Sequence, residues 1–279
     1  MSIVKKGDYY YFKHSYREGR KVITVEKYLG KEIPKDIERI KQGLKMESRH
    51  LLYKKLKKIR DDFQKEWKRC PESAKRRENE EIAIAFTYNT NAIEGSTITL
   101  EETREILVDK TAPNKSLKDI RETEAHFKVF LKMLETKENI SEKLLLNWHN
   151  EIFKETKPDI SGRFRDFLVR VGAYRAPDWQ DVGELMKDFF LFLKESELNP
   201  VELAARAHYR FEKIHPFGDG NGRIGRLIMN HILWQKGYPM IIIEYAKRKS
   251  YYKALNRNED GFVNYFLRRY MNIHKKRFA

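Results

Sequence analysis

The chain has 279 residues, 41% of them hydrophobic and 35% charged, with a net charge of +16 from 57 Lys and Arg against 41 Asp and Glu. That composition supports a folded core and excludes a low-complexity or collagen-like chain. A single cysteine, Cys70, excludes a disulfide framework and fits a reducing compartment. There is neither an apolar leader nor a run of membrane-spanning length, so a soluble, cytoplasmic protein with no membrane association is expected.

In chain order, residues 8–29 alternate in strand fashion around Arg17-Glu18-Gly19-Arg20 and predict a β-hairpin. Pro34 opens a helical stretch to about Arg69, with Leu51, Leu52, Leu56, Ile59 and Phe63 at helical spacing. Residues 1–80 carry 24 basic and 13 acidic residues. This excess reads as a solvated helix surface or as a contact with something acidic, nucleic acid included. They form a first region, a β-hairpin and basic helices, and residues 81–279 a second. A helix over about 73–95 is counted with the second, with Gly95 placed for a left-handed helix end. Thr99-Leu100-Glu101-Glu102 is a capping box.

Helical patterns follow at about 117–138, 141–155, 181–196, 199–214, 221–236 and 261–274. Only residues 163–176 interrupt, with strand-like alternation at Phe167, Val169 and Val171. The fold class is therefore mainly α, a helical bundle with two small β-elements.

The chemistry concentrates in His215-Pro216-Phe217-Gly218-Asp219-Gly220-Asn221-Gly222-Arg223-Ile224-Gly225-Arg226. Pro216 discourages helix at His215, which therefore ends one helix, and a second starts just after the glycines. Glycines let backbone N–H groups converge on an anion, and the new helix N-terminus adds donors and a positive dipole end. Arg223, Arg226 and Asn230 fall on one polar arc of that helix, so two guanidiniums one turn apart are placed to clamp a polyphosphate. Asp219 offers a hard oxygen for Mg²⁺ or Mn²⁺, and His215 has the pKa range of a general base. No Gly-Lys-Ser/Thr follows, which excludes a Walker A loop.

Residue for residue, this segment resembles the Fic family signature, His-x-Phe-x-Asp/Glu-Gly-Asn-Gly-Arg-x-x-Arg, and the resemblance extends over roughly residues 82–270. It implies a Fic-type helical bundle with a β-hairpin flap, and transfer of AMP from ATP to a Ser, Thr or Tyr hydroxyl of a target protein, the chain itself included. It implies His215 as the base and Asp219 as the metal ligand. Gly220, Asn221 and Gly222 would cradle phosphate oxygens, with Arg223 near the β-phosphate and Arg226 near the γ-phosphate. Phe217 would pack the loop from beneath. Gly162-Arg163-Phe164-Arg165 through Val171 resembles the flap, with Val169, Arg170 and Val171 holding the target backbone. Tyr251 and Tyr252 resemble the segment lining the adenosine site.

Thr90-Asn91-Ala92-Ile93-Glu94-Gly95 is similar to the family's inhibitory motif, in the arrangement where the inhibitory helix precedes the core. The resemblance implies that Glu94 pairs with Arg226 and denies it to the γ-phosphate, with Thr90 on the same helix face. Two other functions stay open: hydrolytic removal of AMP from a modified protein by the same residues, and a nucleic-acid-associated regulator acting through the basic residues 1–80. A homodimer controlling the brake is a further expectation.

Overall fold

The computed structural model describes residues 2–18, 21–34, 37–172 and 174–278, with side chains 14–18, 21–23 and 38–48 left aside. Among the described residues there are ten α-helices and two small antiparallel sheets. The chain divides into two compact units, residues 1–59 with 272–279, and residues 60–271. None of the described helices is long and apolar enough to cross a membrane.

The first unit holds a three-stranded sheet, β1 (Ser2–Lys6), β2 (Tyr9–Glu18) and β3 (Lys21–Gly30), where the sequence reading had only a hairpin. The extra strand comes from Gly7-Asp8. With Lys6 paired to Tyr9, these two residues form the shortest hairpin connection, and Gly7 takes the left-handed φ of 60° that such turns need. The Gly19-Arg20 half of the expected β2–β3 turn lies outside the described residues. Helix α1 (Ile37–Arg69) follows Pro34 as the sequence predicts.

The second unit is a helical bundle. Helix α2 (Glu72–Ile93) ends where Gly95 adopts φ 98°, and α3 (Leu100–Arg104) starts on the Thr99 capping box. Helices α4 (Leu117–Glu135), α5 (Glu142–Phe153), α6 (Val182–Glu195) and α7 (Pro200–Ile214) come next in order. Helix α8 (Asn221–Gln235) packs against α2, α4, α5 and α7 and is buried on every side from Asn221 to Leu233. It therefore has no solvent-facing polar arc. Asn230, expected beside the arginines, instead ties the Ile241 backbone, donating to its carbonyl at 3.0 Å and accepting from its N–H at 2.9 Å. Helices α9 (Arg248–Leu255) and α10 (Glu259–Phe278) close the chain.

The strand-like stretch 163–176 is mostly irregular. Only β4 (Arg170–Val171) and β5 (Tyr174–Arg175) pair, with a further bond from Ala176 N–H to the Val169 carbonyl at 3.2 Å. Ahead of them, the buried Arg165 side chain ties the segment down by donating to backbone carbonyls inside and outside it: Phe167 at 3.0 Å, Pro177 at 2.7 Å and His215 at 2.8 Å.

Candidate functional site

Helix α7 is started by Asn199, whose side chain accepts from Val201 N–H, and by Pro200 at its first turn. It stops at His215, which sits in the left-handed region at φ 53° and ψ 58°. A non-glycine residue there carries strain of order 1 kcal/mol. The Pro216 ring enforces the stop, and the Arg165 bonds to the carbonyl of His215 and from Arg165 N–H to Pro216 O (2.9 Å) hold it. Burial lowers the His215 pKa first, with the Arg165 charge adding to it, against the opposing Glu212 carbonyl and the Glu94 and Asp219 charges. Nδ1 lies 3.4 Å from the Glu212 carbonyl, which only accepts, so the proton sits on Nδ1 and leaves Nε2 as the basic nitrogen.

The loop from His215 to α8 is closed by its own side chains. Asn221 Oδ1 accepts from Phe217 N–H and its Nδ2 donates to the Phe217 carbonyl, both at 2.9 Å. Its amide is therefore engaged within the loop. The amide thus braces the loop from within, and the backbone N–H of Asn221 opens α8. Phe217 lies beneath the loop, fully buried, as the resemblance implied. It stacks on His149 with centroids 4.0 Å apart and planes 5° apart. His149 Nδ1 accepts from Gly162 N–H at 3.0 Å, so its Nε2 carries the proton and donates to the Asp219 carbonyl at 3.1 Å. Burial brings the His149 pKa to about 4, which keeps this bridge between flap base and loop neutral.

The charged side chains of the loop all have partners. Arg226, fully buried, donates from Nε to Thr90 Oγ1 at 2.5 Å and from Nη2 to Glu94 Oε1 at 2.6 Å and the Thr90 carbonyl at 3.2 Å. Glu94 also lies against Gly222, where an added Cβ would stand 2.1 Å from its Oε1. Arg223 is held by Glu122 and lies over the Phe153 ring at 4.4 Å. Glu122 in turn meets Lys157 at 3.0 Å, and Lys157 meets Asp219 at 2.7 Å. Burial works against ionisation of both acids, yet these cations outweigh it and hold Glu122 and Asp219 below the usual carboxylate range. A cleft of about 160 Å³ opens onto this set, lined by Glu94, Gly95, Glu122, Lys157, Asp219 and Arg223 among others.

The remaining expected residues fall apart into two groups. Arg170 and Val171 are exposed on the short hairpin, and Val169, half-buried, precedes it. Tyr251 is core, 1% exposed, with its hydroxyl 2.7 Å from His208 Nε2. Tyr252 is 41% exposed and donates to the Ile93 carbonyl at 3.1 Å, at the tip of α2. Sequence reasoning missed Glu122, Lys157, His149 and the grip of Arg165. Glu122 stands 101 residues from Arg223, and no local spacing announces that pairing.

Residues 139–233 match the model of the Fic/DOC family. The protein adenylyltransferase Fic of Nematostella vectensis is 37% identical over 196 residues, 67% of this chain and 46% of that protein. The protein of the same name from Drosophila ananassae is 36% identical over 203 residues, 70% of this chain and 41% of that protein. The chain thus spans less than half the length of these curated relatives. Among solved structures, a Fic domain containing signaling protein from Bacteroides thetaiotaomicron superposes with a TM-score of 0.67 and 28% identity, over 81% of this chain and 97% of that one. Fic-1 from C. elegans gives 0.69 and 28%, over 87% and 76%. With the signature loop between α7 and α8 inside the matched segment, the chain belongs to the Fic/DOC family.

Proposed function

We propose that this chain transfers AMP from ATP to a hydroxyl side chain of a target protein, and that Glu94 restrains it. The observation that carries the reading is the loop itself. A histidine whose Nε2 is left as the basic nitrogen ends one helix, and six residues on, the N-terminus of the next begins beside two arginines. The names of the relatives, protein adenylyltransferase Fic, support it.

In this reading His215 Nε2 takes the proton of the target hydroxyl as its oxygen bonds to the α-phosphorus. The bond from that phosphorus to the bridging oxygen breaks, and pyrophosphate leaves. The N–H groups at the start of α8 receive phosphate oxygens, Arg223 lies toward the β-phosphate and Arg226 toward the γ-phosphate. Catalysis is then mostly positioning and charge stabilisation. The half-exposed Asp219 carboxylate, already holding one cation in Lys157, fits Mg²⁺ or Mn²⁺, which take one or two carboxylates together with phosphate oxygens and water. Bound there, the ion would neutralise phosphate charge. Val169, Arg170 and Val171 would hold the target backbone along the short hairpin, and Tyr251 and Tyr252 would line the adenosine site, with Tyr252 the more exposed of the two.

The restraint follows from one guanidinium with two claimants. While Glu94 holds Arg226 at 2.6 Å, the γ-phosphate lacks its partner and ATP settles unproductively. Incubation with ATP labelled at the α-phosphate tests both parts. Glu94→Gly raises incorporation into protein at least tenfold over the wild type, and His215→Ala in the same background abolishes it while ATP binding by calorimetry persists. Equal labelling by wild type and Glu94→Gly removes the restraint. Labelling retained without His215 removes the base.

A further inference from the structure

The sheet of the first unit is not used by the reaction, and its chemistry is of another kind. That unit, residues 1–59 and 272–279, holds 20 Lys and Arg against 7 Asp and Glu, so most of the chain's +16 resides there. Within it, Tyr9, Tyr11 and Tyr28 share one face of the sheet. Tyr11 pairs directly with Tyr28 across β2 and β3, and the Tyr28 ring lies 5.7 Å from that of Tyr9 and 5.5 Å from that of Tyr11. Phe12, next in the strand, points to the opposite face and is fully buried, while Tyr9 and Tyr28 stay 39% and 56% exposed.

We propose that this tyrosine face is a binding surface for single-stranded nucleic acid. Unpaired bases stack on aromatic side chains without regard to sequence, and lysines around the rings follow the phosphates. Lysines stand at the rings here: Lys6 lies 5.3 Å from the Tyr11 centroid and Lys31 5.9 Å from that of Tyr9. Glu26 sits among them, 2.6 Å from Lys6 and 3.8 Å from Lys13, and holds these two ammonium groups in place on the face. A phosphate would share them. The combination of exposed ring faces and surplus positive charge matches a ligand with both flat apolar surfaces and a regular negative backbone. A duplex hides its base faces and offers only the second.

The surface stands independently of the nucleotide-transfer site. Fluorescence anisotropy of labelled oligo(dT) and oligo(U), about 20 nucleotides long, with the full chain tests it. Binding is expected, weakening as salt rises, and stronger than for a duplex of equal length. Tyr9→Ala and Tyr28→Ala each weaken it by roughly five- to a hundredfold, while Tyr28→Phe retains it. Melting curves of these variants report folding. Absence of binding at low salt, equal affinity for the duplex, or tyrosine variants that fold and bind as the wild type each overturn the proposal. So does binding to anionic vesicles in place of the oligonucleotides.

Discussion

At the scale of single residues, His215 combines a strained backbone with a lowered pKa. Burial disfavours the imidazolium, so the ring is neutral well before physiological pH is reached. A general base works in its neutral form, and activity is lost as pH falls through its pKa. The pH profile of the Glu94→Gly variant should show an acid limb centred below the ordinary histidine value of 6.5. A limb centred above 6.5 would mean that a different group limits the rate. The neighbours of His215 explain which site residues were legible beforehand. The signature residues lie within twelve positions, and local rules about proline, glycine and helix ends read them correctly. The loop-closing bonds of the Asn221 amide to Phe217 were not legible, because a side chain that closes its own loop has the same sequence as one that greets a ligand. Glu122 and Lys157 were invisible because their partners are brought to them by the packing of α4 and α5 against α8.

Among the elements, the junction between α7 and α8 depends on Gly220. It holds φ 78°, and a Cβ there would stand 2.4 Å from two ring carbons of Phe153, the fully buried ring on which Arg223 and Lys157 lie. Gly220→Ala therefore strains the backbone and displaces that ring, at a cost of about 1–3 kcal/mol. Lower melting temperature and weakened ATP binding by calorimetry are expected. Gly183→Ala in α6, with nothing within 4 Å of the added carbon, serves as the control and should melt at or slightly above the wild type. ATP binding unchanged in Gly220→Ala would show that the turn tolerates a side chain. Elements announced by local signals, such as the Thr99 box and the Gly95 stop, were readable from sequence. The segment 163–176 was misread because alternation reports a strand only where the backbone is free to pair, and Arg165 there binds the Phe167 carbonyl and anchors the segment to Pro177 and His215. Strand β1 was overlooked because five residues rich in lysine carry little apolar pattern, although Gly7-Asp8 marked the turn.

For the whole molecule, buried histidines set the response to acid. His126, His149, His208, His215 and His231 all have pKa values lowered chiefly by burial, to about 4 for His149 and about 3 for His208. In the unfolded chain they return to about 6.5. Below that pH the unfolded state binds more protons, so stability is lost as pH falls, by up to ~1.4 kcal/mol per pH unit for each histidine. Glu212 acts in the other direction. Burial raises its pKa to about 7, so the folded state gains a proton there and stability rises as pH falls toward the ordinary carboxylate range. Five groups outweigh one, and melting temperature should decline from pH 6.5 downward, before most carboxylates titrate. A melting temperature constant down to pH 5 would contradict this balance.

On the proposed function, the pairing of Lys157 with Asp219 and of Glu122 with Arg223 gives the cleft an internal imitation of its cargo, an ammonium where the metal ion would sit and a carboxylate where a phosphate would sit. Filling such a cleft is an exchange of partners, since every ion that enters finds its counter-ion already attended. Affinity for a metal–nucleotide pair would then be governed by the fit of the newcomers against the residents. Selectivity falls on ligands that bring both charges at once, because a bare cation or a bare phosphate would evict one resident and leave its former partner stranded.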